Sequence, residues 1–222
     1  MADRRFIAGA TLVVGLALAG YVGAERWRPS PADYPLQGID LGERPGAIEW
    51  GSVRAAGADF AYIVATSGSR GRDPDFEANW AALPEAGVRR GAVHLFALCE
   101  DGAAQADAFN ATVPRAADAL PPAVDIDRRD GCDAPPGPGV TDNLRRFANR
   151  VEAHLGKPVI LRLSRAAERR YGLSRSLIRP LWLEGSFVKP GYAGRPWRLW
   201  RASSWRRIDG VEVPVGWDVV AP

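Results

Sequence analysis

The chain has 222 residues, of which 46% are hydrophobic, and its formal net charge is +3. That length accommodates one domain with a full core and an appendage. The first 30 residues carry four arginines against Asp3 and Glu25, which leaves about +1 for the rest of the chain. Such a balance provides no basic face or stripe, and it argues against a nucleic-acid partner.

The N-terminus predicts export from the cytoplasm. Arg4 and Arg5 precede an apolar run from Phe6 to Ala24, about 19 residues, which is close to the length that crosses a bilayer as a helix. We expect residues 1–24 to be a signal anchor in the inner membrane, with the body facing the periplasm. The alternative is a cleaved signal peptide and a secreted body, since Val22-Gly23-Ala24 offers a small-residue cleavage site.

Cys99 and Cys132 are the two cysteines of the sequence. In an exported body, two thiols form a bridge more often than a metal site or a nucleophile. A zinc site built on two cysteines would also need nearby histidines, and the chain has two, His94 and His154. We therefore expect a disulfide and no bound metal.

Residues 25–37 are polar and contain prolines, which is typical of a linker, and residues 38–222 form the predicted domain. Apolar runs in this domain alternate with helical stretches, as expected for buried parallel strands. The clearest helix is Thr141–Leu155, with Thr141 as its expected cap. Predicted strands are 38–41, 60–65, 91–96, 123–126, 158–163, 180–183, 197–202 and 215–219.

This pattern predicts an α/β fold, an irregular TIM-like (β/α) barrel of about eight strands with helices mainly after the first five. No glycine-rich phosphate loop follows a strand, so no dinucleotide cofactor is expected. We expect the domain to work without any cofactor and to be a monomer.

Four aspartates stand in or at the ends of predicted strands: Asp40, Asp125, Asp127 and Asp218. The carboxyl ends of the strands carry the active site of such barrels. Crowded carboxylates raise one another's pKa, and one can then stay protonated as the general acid of glycoside cleavage. The alternative is that each aspartate caps the helix or loop that follows it.

The order of several short motifs resembles the glycoside hydrolase family 25 lysozymes. Gly38-Ile-Asp-Leu41 and Gly46-Ala-Ile-Glu-Trp50 resemble the family's opening strand and first helix. Matches continue through Asp73-Pro-Asp-Phe76, Pro180-Leu-Trp182 and Trp197-Arg-Leu-Trp200, and together they cover residues 36–220. The resemblance also implies that a cysteine pair joins the loops after the third and fourth strands, at Cys99 and Cys132.

The resemblance implies a muramidase that cuts peptidoglycan between N-acetylmuramic acid and N-acetylglucosamine. It places the general acid at Asp127 and supporting aspartates at Asp40, Asp125 and Asp218. Whether a carboxylate or the substrate's own acetamido group attacks the sugar is left open.

The sequence also departs from the family pattern. Asp127 stands where the family has glutamate, and its carboxyl is withdrawn by roughly one carbon–carbon bond, about 1.5 Å. Other substrate-facing positions are altered at Ser67, Val93, Leu161, Arg201 and Val219. Two hypotheses follow: a muramidase with an aspartate acid, or a catalytically impaired relative that serves as an anchored cell-wall glycan-binding module.

Aromatic side chains and His94 are further candidates for substrate contact. Trp182 and Trp200 stand at family positions and could stack on sugar rings, although tryptophans are also ordinary core residues. His94 is a candidate ligand of the substrate, but it lies within an apolar strand, where a hydrogen-bonded core histidine is the alternative.

Overall fold

The computed structural model describes Gly15, residues 20–126 and residues 138–222 of the chain. Within these ranges, no helix is both long enough and apolar enough to cross a membrane. Most of the expected anchor, together with Asp127 and Cys132, lies outside the described residues.

The described helices are α1 (residues 20–26), α2 (Trp50–Ala55), α3 (Phe76–Glu85), α4 (Gly102–Thr112), α5 (Pro138–Leu155), α6 (Arg165–Tyr171) and α7 (Leu173–Ser176). The strands are β1 (Gln37–Asp40), β2 (Phe60–Ser67), β3 (Gly71–Arg72), β4 (Arg89–Leu95), β5 (Ala123–Asp125), β6 (Ile160–Leu163), β7 (Leu181–Glu184), β8 (Leu199–Arg206) and β9 (Val215–Val220).

Eight of these strands close into a barrel, which confirms the predicted α/β barrel. The sheet order is β1-β9-β8-β7-β6-β5-β4-β2, and β1 pairs with β2 to complete the circle. β3 is a two-residue addition at the end of β2. The strands β1, β2 and β4 to β8 all run parallel to one another, as expected for short apolar strands covered by helices.

The last strand departs from a regular (β/α) barrel because β9 is antiparallel to both of its neighbours, β1 and β8. A short connection without a helix joins β8 to β9, and such a connection permits antiparallel pairing. As a result, the start of β9, rather than its end, lies beside the end of β1. This reversal decides the depth at which Asp218 lies.

The long helix α5 confirms the predicted amphipathic pattern but begins earlier than expected. Leu144, Phe147 and Val151 are buried on one face. The predicted N-cap, Thr141, is instead inside the helix, which starts at Pro138. Proline suits the first turn because its missing N–H would have no helical partner there.

The segment expected to be a linker packs against the barrel. Trp27 and Tyr34 contact the hydrophobic core, and Arg28 donates a hydrogen bond to the carbonyl oxygen of Ala56 at 3.2 Å. Gln37 is buried and accepts a 2.7 Å hydrogen bond from the indole of Trp217. This part of the chain is therefore ordered by tertiary contacts that its polar composition does not reveal.

His94 is a core residue between the barrel and its helices, which corrects the expectation that it contacts substrate. It has no exposed surface and stacks on Phe147 with ring centroids 4.6 Å apart. Its Nε2 donates to Gln105 Oε1 at 3.0 Å, since that oxygen also accepts the Ala97 N–H. Nδ1 accepts from the hydroxyl of Thr66 at 2.7 Å, so the neutral ring is satisfied on both sides.

Cys99 follows β4 and is not a free thiol in the structure. Its expected partner, Cys132, lies outside the described residues, so the bridge between the two stays a prediction. We expect the denatured, unreduced protein to show no titratable thiol and the reduced protein to show both cysteines. A free thiol before reduction would contradict the bridge.

Burial lowers the pKa of His94 to about 4 from its ordinary 6.5. The unfolded chain therefore binds a proton on His94 at a higher pH than the folded chain does. This contribution to stability is complete above pH 6.5 and is lost as the pH falls toward 4, by about 3 kcal/mol in total.

We predict that His94→Gln flattens the dependence of the unfolding free energy on pH between these two values, as measured by urea denaturation. His154→Gln is the matched control, and it should leave the pH dependence close to that of the wild type. An unchanged slope in His94→Gln would contradict the assignment of this titration to His94.

Candidate active site

The barrel interior has an apolar lower layer and a charged upper layer. Side chains alternate along a strand, so every second residue points inward. The lower layer includes Tyr62, Ile160, Trp182 and Leu199, which pack together. The upper layer lies nearer the carboxyl ends of the strands and contains the charged side chains of Asp125, Arg162, Glu184 and Arg201. Arg162, Glu184 and Arg201 stand two residues after the lower-layer residues of their own strands, and Asp125 pairs with Arg162. Asp40 joins them from the end of β1.

Arg162 stands at the centre of this upper layer, almost fully buried at 3% exposure. Its Nη1 donates to Asp40 Oδ2 at 2.9 Å, and its Nε and Nη2 donate to Glu184 Oε1 at 3.3 Å. Its Nε also lies 3.8 Å from Asp125 Oδ2. The guanidinium rests on the indole of Trp182, 4.8 Å from the ring centroid. Arg162 thus ties β6 to β1, β5 and β7 across the barrel.

Asp40 and Asp218 form a coupled pair of buried carboxyl groups. Burial would raise the pKa of Asp40, but the positive charges of Arg162 and Arg201 outweigh burial and lower it. Burial first, and the charge of Asp40 second, raise the pKa of Asp218 well above its usual range. The raised pKa of Asp218 favours its protonated form, whose hydroxyl can donate a hydrogen bond to the Asp40 carboxylate.

The reversed direction of β9 places Gly216, and not Asp218, level with Asp40. The register pairs Asp40 with Gly216 and Gly38 with Asp218, so Asp218 lies one layer deeper. A Cβ at Gly216 would meet Asp40 Oδ1 at 1.7 Å and Arg201 Nε at 2.5 Å. The absent side chain therefore makes the space in which Asp40 and Arg201 meet, with Oδ1 and Nε 3.0 Å apart.

The structure brings together three of the four predicted aspartates. Asp40, Asp125 and Asp218 converge inside the barrel, with exposures of 2%, 2% and 0%. Asp127 lies outside the described residues. None of the three described aspartates caps a helix, which removes the alternative reading of them as caps.

The two tryptophans predicted to stack on sugars are buried, which corrects that expectation. Trp182 has no exposed surface, and its indole N–H donates to Asp218 Oδ1 at 2.8 Å. Trp200 is 4% exposed, and its N–H donates to the carbonyl oxygen of Gly185 at 2.7 Å. Trp182 packs beneath Arg162 of the upper layer, and Trp200 supports the loop that follows β7.

Sequence reasoning missed Arg162 and Glu184 and treated Arg201 as a mere departure from the family. A signal was available, because a charged residue inside the apolar run Ile160-Leu-Arg-Leu163 must find a buried partner. Strand alternation also places Leu161, one of the altered family positions, on the helix-facing side and Arg162 on the inner side.

The charged layer limits the chemistry of the barrel mouth. Glycoside cleavage needs a carboxyl group that reaches the scissile oxygen and a second carboxylate or base beside the sugar. Asp40 and Asp125 are held by the buried guanidinium, and Asp218 is beneath them. Over the described residues, no group of three metal-ligating side chains is present either. The fourth predicted acid, Asp127, lies outside the described residues.

We predict that Arg162→Met destabilises the protein by about 3–5 kcal/mol, because it removes the buried cation that Asp40 shares with Asp125 and Glu184 and leaves Arg201 alone beside Asp40. Adding Asp40→Asn should recover part of that loss. Denaturation of the two single variants and the double variant by guanidinium chloride measures the coupling free energy between Arg162 and Asp40. The exposed pair Arg150–Asp107 is the matched control, and Arg150→Met should cost no more than about 1 kcal/mol. If the losses of unfolding free energy in the two single variants simply add up in the double variant, the network is contradicted.

Comparison with known proteins agrees with this architecture. The family 25 glycosyl hydrolase of Bacillus anthracis superposes with a TM-score of 0.82, at 27% identity, covering 89% of this chain and 93% of that one. The lysozyme of Streptomyces coelicolor superposes with a TM-score of 0.74, also at 27% identity, covering 84% and 92%. YegX of Escherichia coli K12 is 29% identical over 196 residues, 85% of this chain and 71% of that protein. The sequence model of glycosyl hydrolases family 25 matches residues 39–211, and the chain therefore belongs to that family.

Proposed function

We propose that this protein recognises peptidoglycan glycan strands as a lysozyme-like family member with little hydrolytic turnover. The substrate class comes from the family, whose relatives include lysozymes. The loss of turnover rests on one observation: Arg162 occupies the charged layer and engages the carboxyl groups there. A glycan cannot contact Asp40 or Asp125 unless this buried guanidinium moves.

The free energy of the buried charges favours the arrangement in which Arg162 stays paired with the carboxyl groups. Removing Arg162 from the network would take from buried carboxyl groups the cation that they share, at a cost of several kcal/mol. Substrate binding would have to supply that energy before any chemistry began, and binding energy used in this way is unavailable for stabilising the transition state. The arrangement thus supports a binding role more than a hydrolytic one.

A muramidase that works through Asp127 is the second candidate. The sequence places Asp127 two residues after Asp125, and burial, followed by the charge of Asp40, raises the pKa of Asp218 in this same barrel, which favours a protonated carboxyl group. In that mechanism Asp127 would protonate the oxygen between N-acetylmuramic acid and N-acetylglucosamine. The shorter side chain and the neutralised neighbours both predict a slow reaction.

We also propose that the protein works in the cell envelope, either anchored in the inner membrane and facing the periplasm or secreted. The support is the basic start and apolar run of the N-terminus, and the absence of a free thiol at Cys99, which suits an oxidising compartment.

The test incubates the purified protein with purified peptidoglycan sacculi. Co-sedimentation measures binding, and mass spectrometry of the soluble fraction measures released fragments. We expect binding with fragment release near that of a no-protein control. Asp127→Glu should not restore release, because Arg162 still engages Asp40 and Asp125.

Two variants separate the candidates. Asp127→Asn should leave binding unchanged under the binding proposal and should abolish release under the muramidase alternative. Asp33→Asn, at an exposed carboxylate, is the matched control for loss of one charge. Fragment release that disappears in Asp127→Asn and persists in Asp33→Asn would establish the muramidase and overturn the binding proposal. Failure to bind sacculi would contradict both.

A further inference from the structure

Exposed apolar side chains cluster at one corner of the barrel, and we call this surface the aromatic lip. It consists of the exposed Phe187, Val188 and Trp205 together with the half-buried Trp27. The ring centroids of Trp27 and Phe187 are 5.0 Å apart, and those of Phe187 and Trp205 are 5.7 Å apart. Phe187 and Trp205 are each 41% exposed, and Val188 is 70% exposed. Contiguous exposed apolar groups of this kind mark an interaction surface.

The aromatic lip is on the same end of the barrel as the charged layer. Phe187 lies in the loop that leaves the end of β7, just after Glu184, and its N–H donates to the carbonyl oxygen of Ala202 at 2.9 Å. Trp205 is close to the end of β8, which runs parallel to β7. Whatever covers the aromatic lip therefore lies beside the barrel mouth.

The N-terminal segment arrives at this same corner. Glu25, in α1, accepts from the Arg207 side chain at 3.2 Å and from the Arg207 backbone N–H at 3.3 Å. Arg206 donates to the backbone carbonyl of Arg26. These contacts hold α1 against the end of β8. The apolar run from Phe6 to Ala24 therefore joins the folded barrel at its mouth end.

Exposed cations follow or adjoin the residues of the aromatic lip in the chain: Arg26 precedes Trp27, and Lys189 follows Val188. Arg207 is also exposed, and it is paired with Glu25, with the exposed Asp209 two residues further on. Aromatic side chains interspersed with arginine and lysine are characteristic of protein surfaces at the membrane–water interface. Such cations attract the negative headgroups of anionic lipids.

We propose that the aromatic lip docks on the surface of an anionic lipid bilayer and holds the barrel mouth against the membrane. Val188, at 70% exposure, has an aliphatic side chain that neither stacks on a sugar ring nor binds its hydroxyls, so a lipid surface fits it better than a glycan. Tyr21 and Val22 on α1 are also exposed, at 62% and 38%, and extend the apolar surface toward the N-terminal run. Both α1 and the aromatic lip would contact the bilayer.

The test compares two labelled positions on the full chain reconstituted into vesicles of phosphatidylethanolamine and phosphatidylglycerol. Val188→Cys and Ile178→Cys carry the same environment-sensitive fluorophore. The two native side chains are matched in exposure, at 70% and 69%, but Ile178 precedes β7 and lies at the opposite end of that strand. Wild-type protein controls for labelling of the native cysteines.

Vesicles with nitroxide-labelled acyl chains then report contact with lipid. We expect about a twofold loss of fluorescence at position 188 and almost none at position 178, because interfacial side chains enter the headgroup and acyl boundary. Because α1 reaches the barrel at this same corner, vesicles of phosphatidylcholine alone separate the two effects: attachment through the N-terminal segment persists there, whereas docking on negative headgroups is lost and the quenching at position 188 should fall. Replacing Arg26 and Lys189 with glutamine, which leaves the Arg207–Glu25 pair intact, should reduce the quenching at position 188.

Three results would overturn the proposal: equal quenching at the two positions, no quenching at position 188, or a response at position 188 to peptidoglycan sacculi instead of lipid. The last result would identify the aromatic lip as a glycan-stacking surface. The lipid-docking proposal does not depend on glycan binding, which co-sedimentation with sacculi measures separately.

Discussion

The buried guanidinium of Arg162 is the interaction on which the interior of this barrel depends. A positive charge with 3% exposure can persist only if carboxylates and aromatic faces replace the water that it has lost. Asp40, Asp125 and Glu184 supply the carboxyl groups, and Trp182 supplies the aromatic face. The same charge keeps Asp40 ionised, and the ionised Asp40 in turn favours a proton on Asp218.

Closure of the barrel by an antiparallel strand brings these groups to their positions. A parallel last strand would place its final residues at the mouth, whereas β9 presents Gly216 there and keeps Asp218 beneath. The space left by Gly216 admits Arg201 beside Asp40. Arg201 thus adds a second guanidinium beside that of Arg162, and both form ion pairs with carboxyl groups of this layer.

The fold and the chemistry of this barrel depend on different sets of residues. The helix-facing side of the strands keeps a continuous hydrophobic core, and the backbone superposes well on the Bacillus anthracis enzyme. Function, in contrast, resides in the few inward side chains of the upper layer, and a change of charge there alters chemistry without disturbing the fold. The surface around the mouth, including the aromatic lip, then becomes the part of the molecule available to partners.

The sequence by itself determined the barrel, the number of its strands, the amphipathic helix α5 and the convergence of Asp40 and Asp125, because these follow from local periodicity and from the common edge of parallel strands. The tertiary structure decided the rest. Pairing of Arg162 with Asp40 spans 122 positions of the chain and depends on which strands face each other across the barrel. The burial of Trp182 and the depth of Asp218 likewise depend on strand direction and register, which no local pattern encodes.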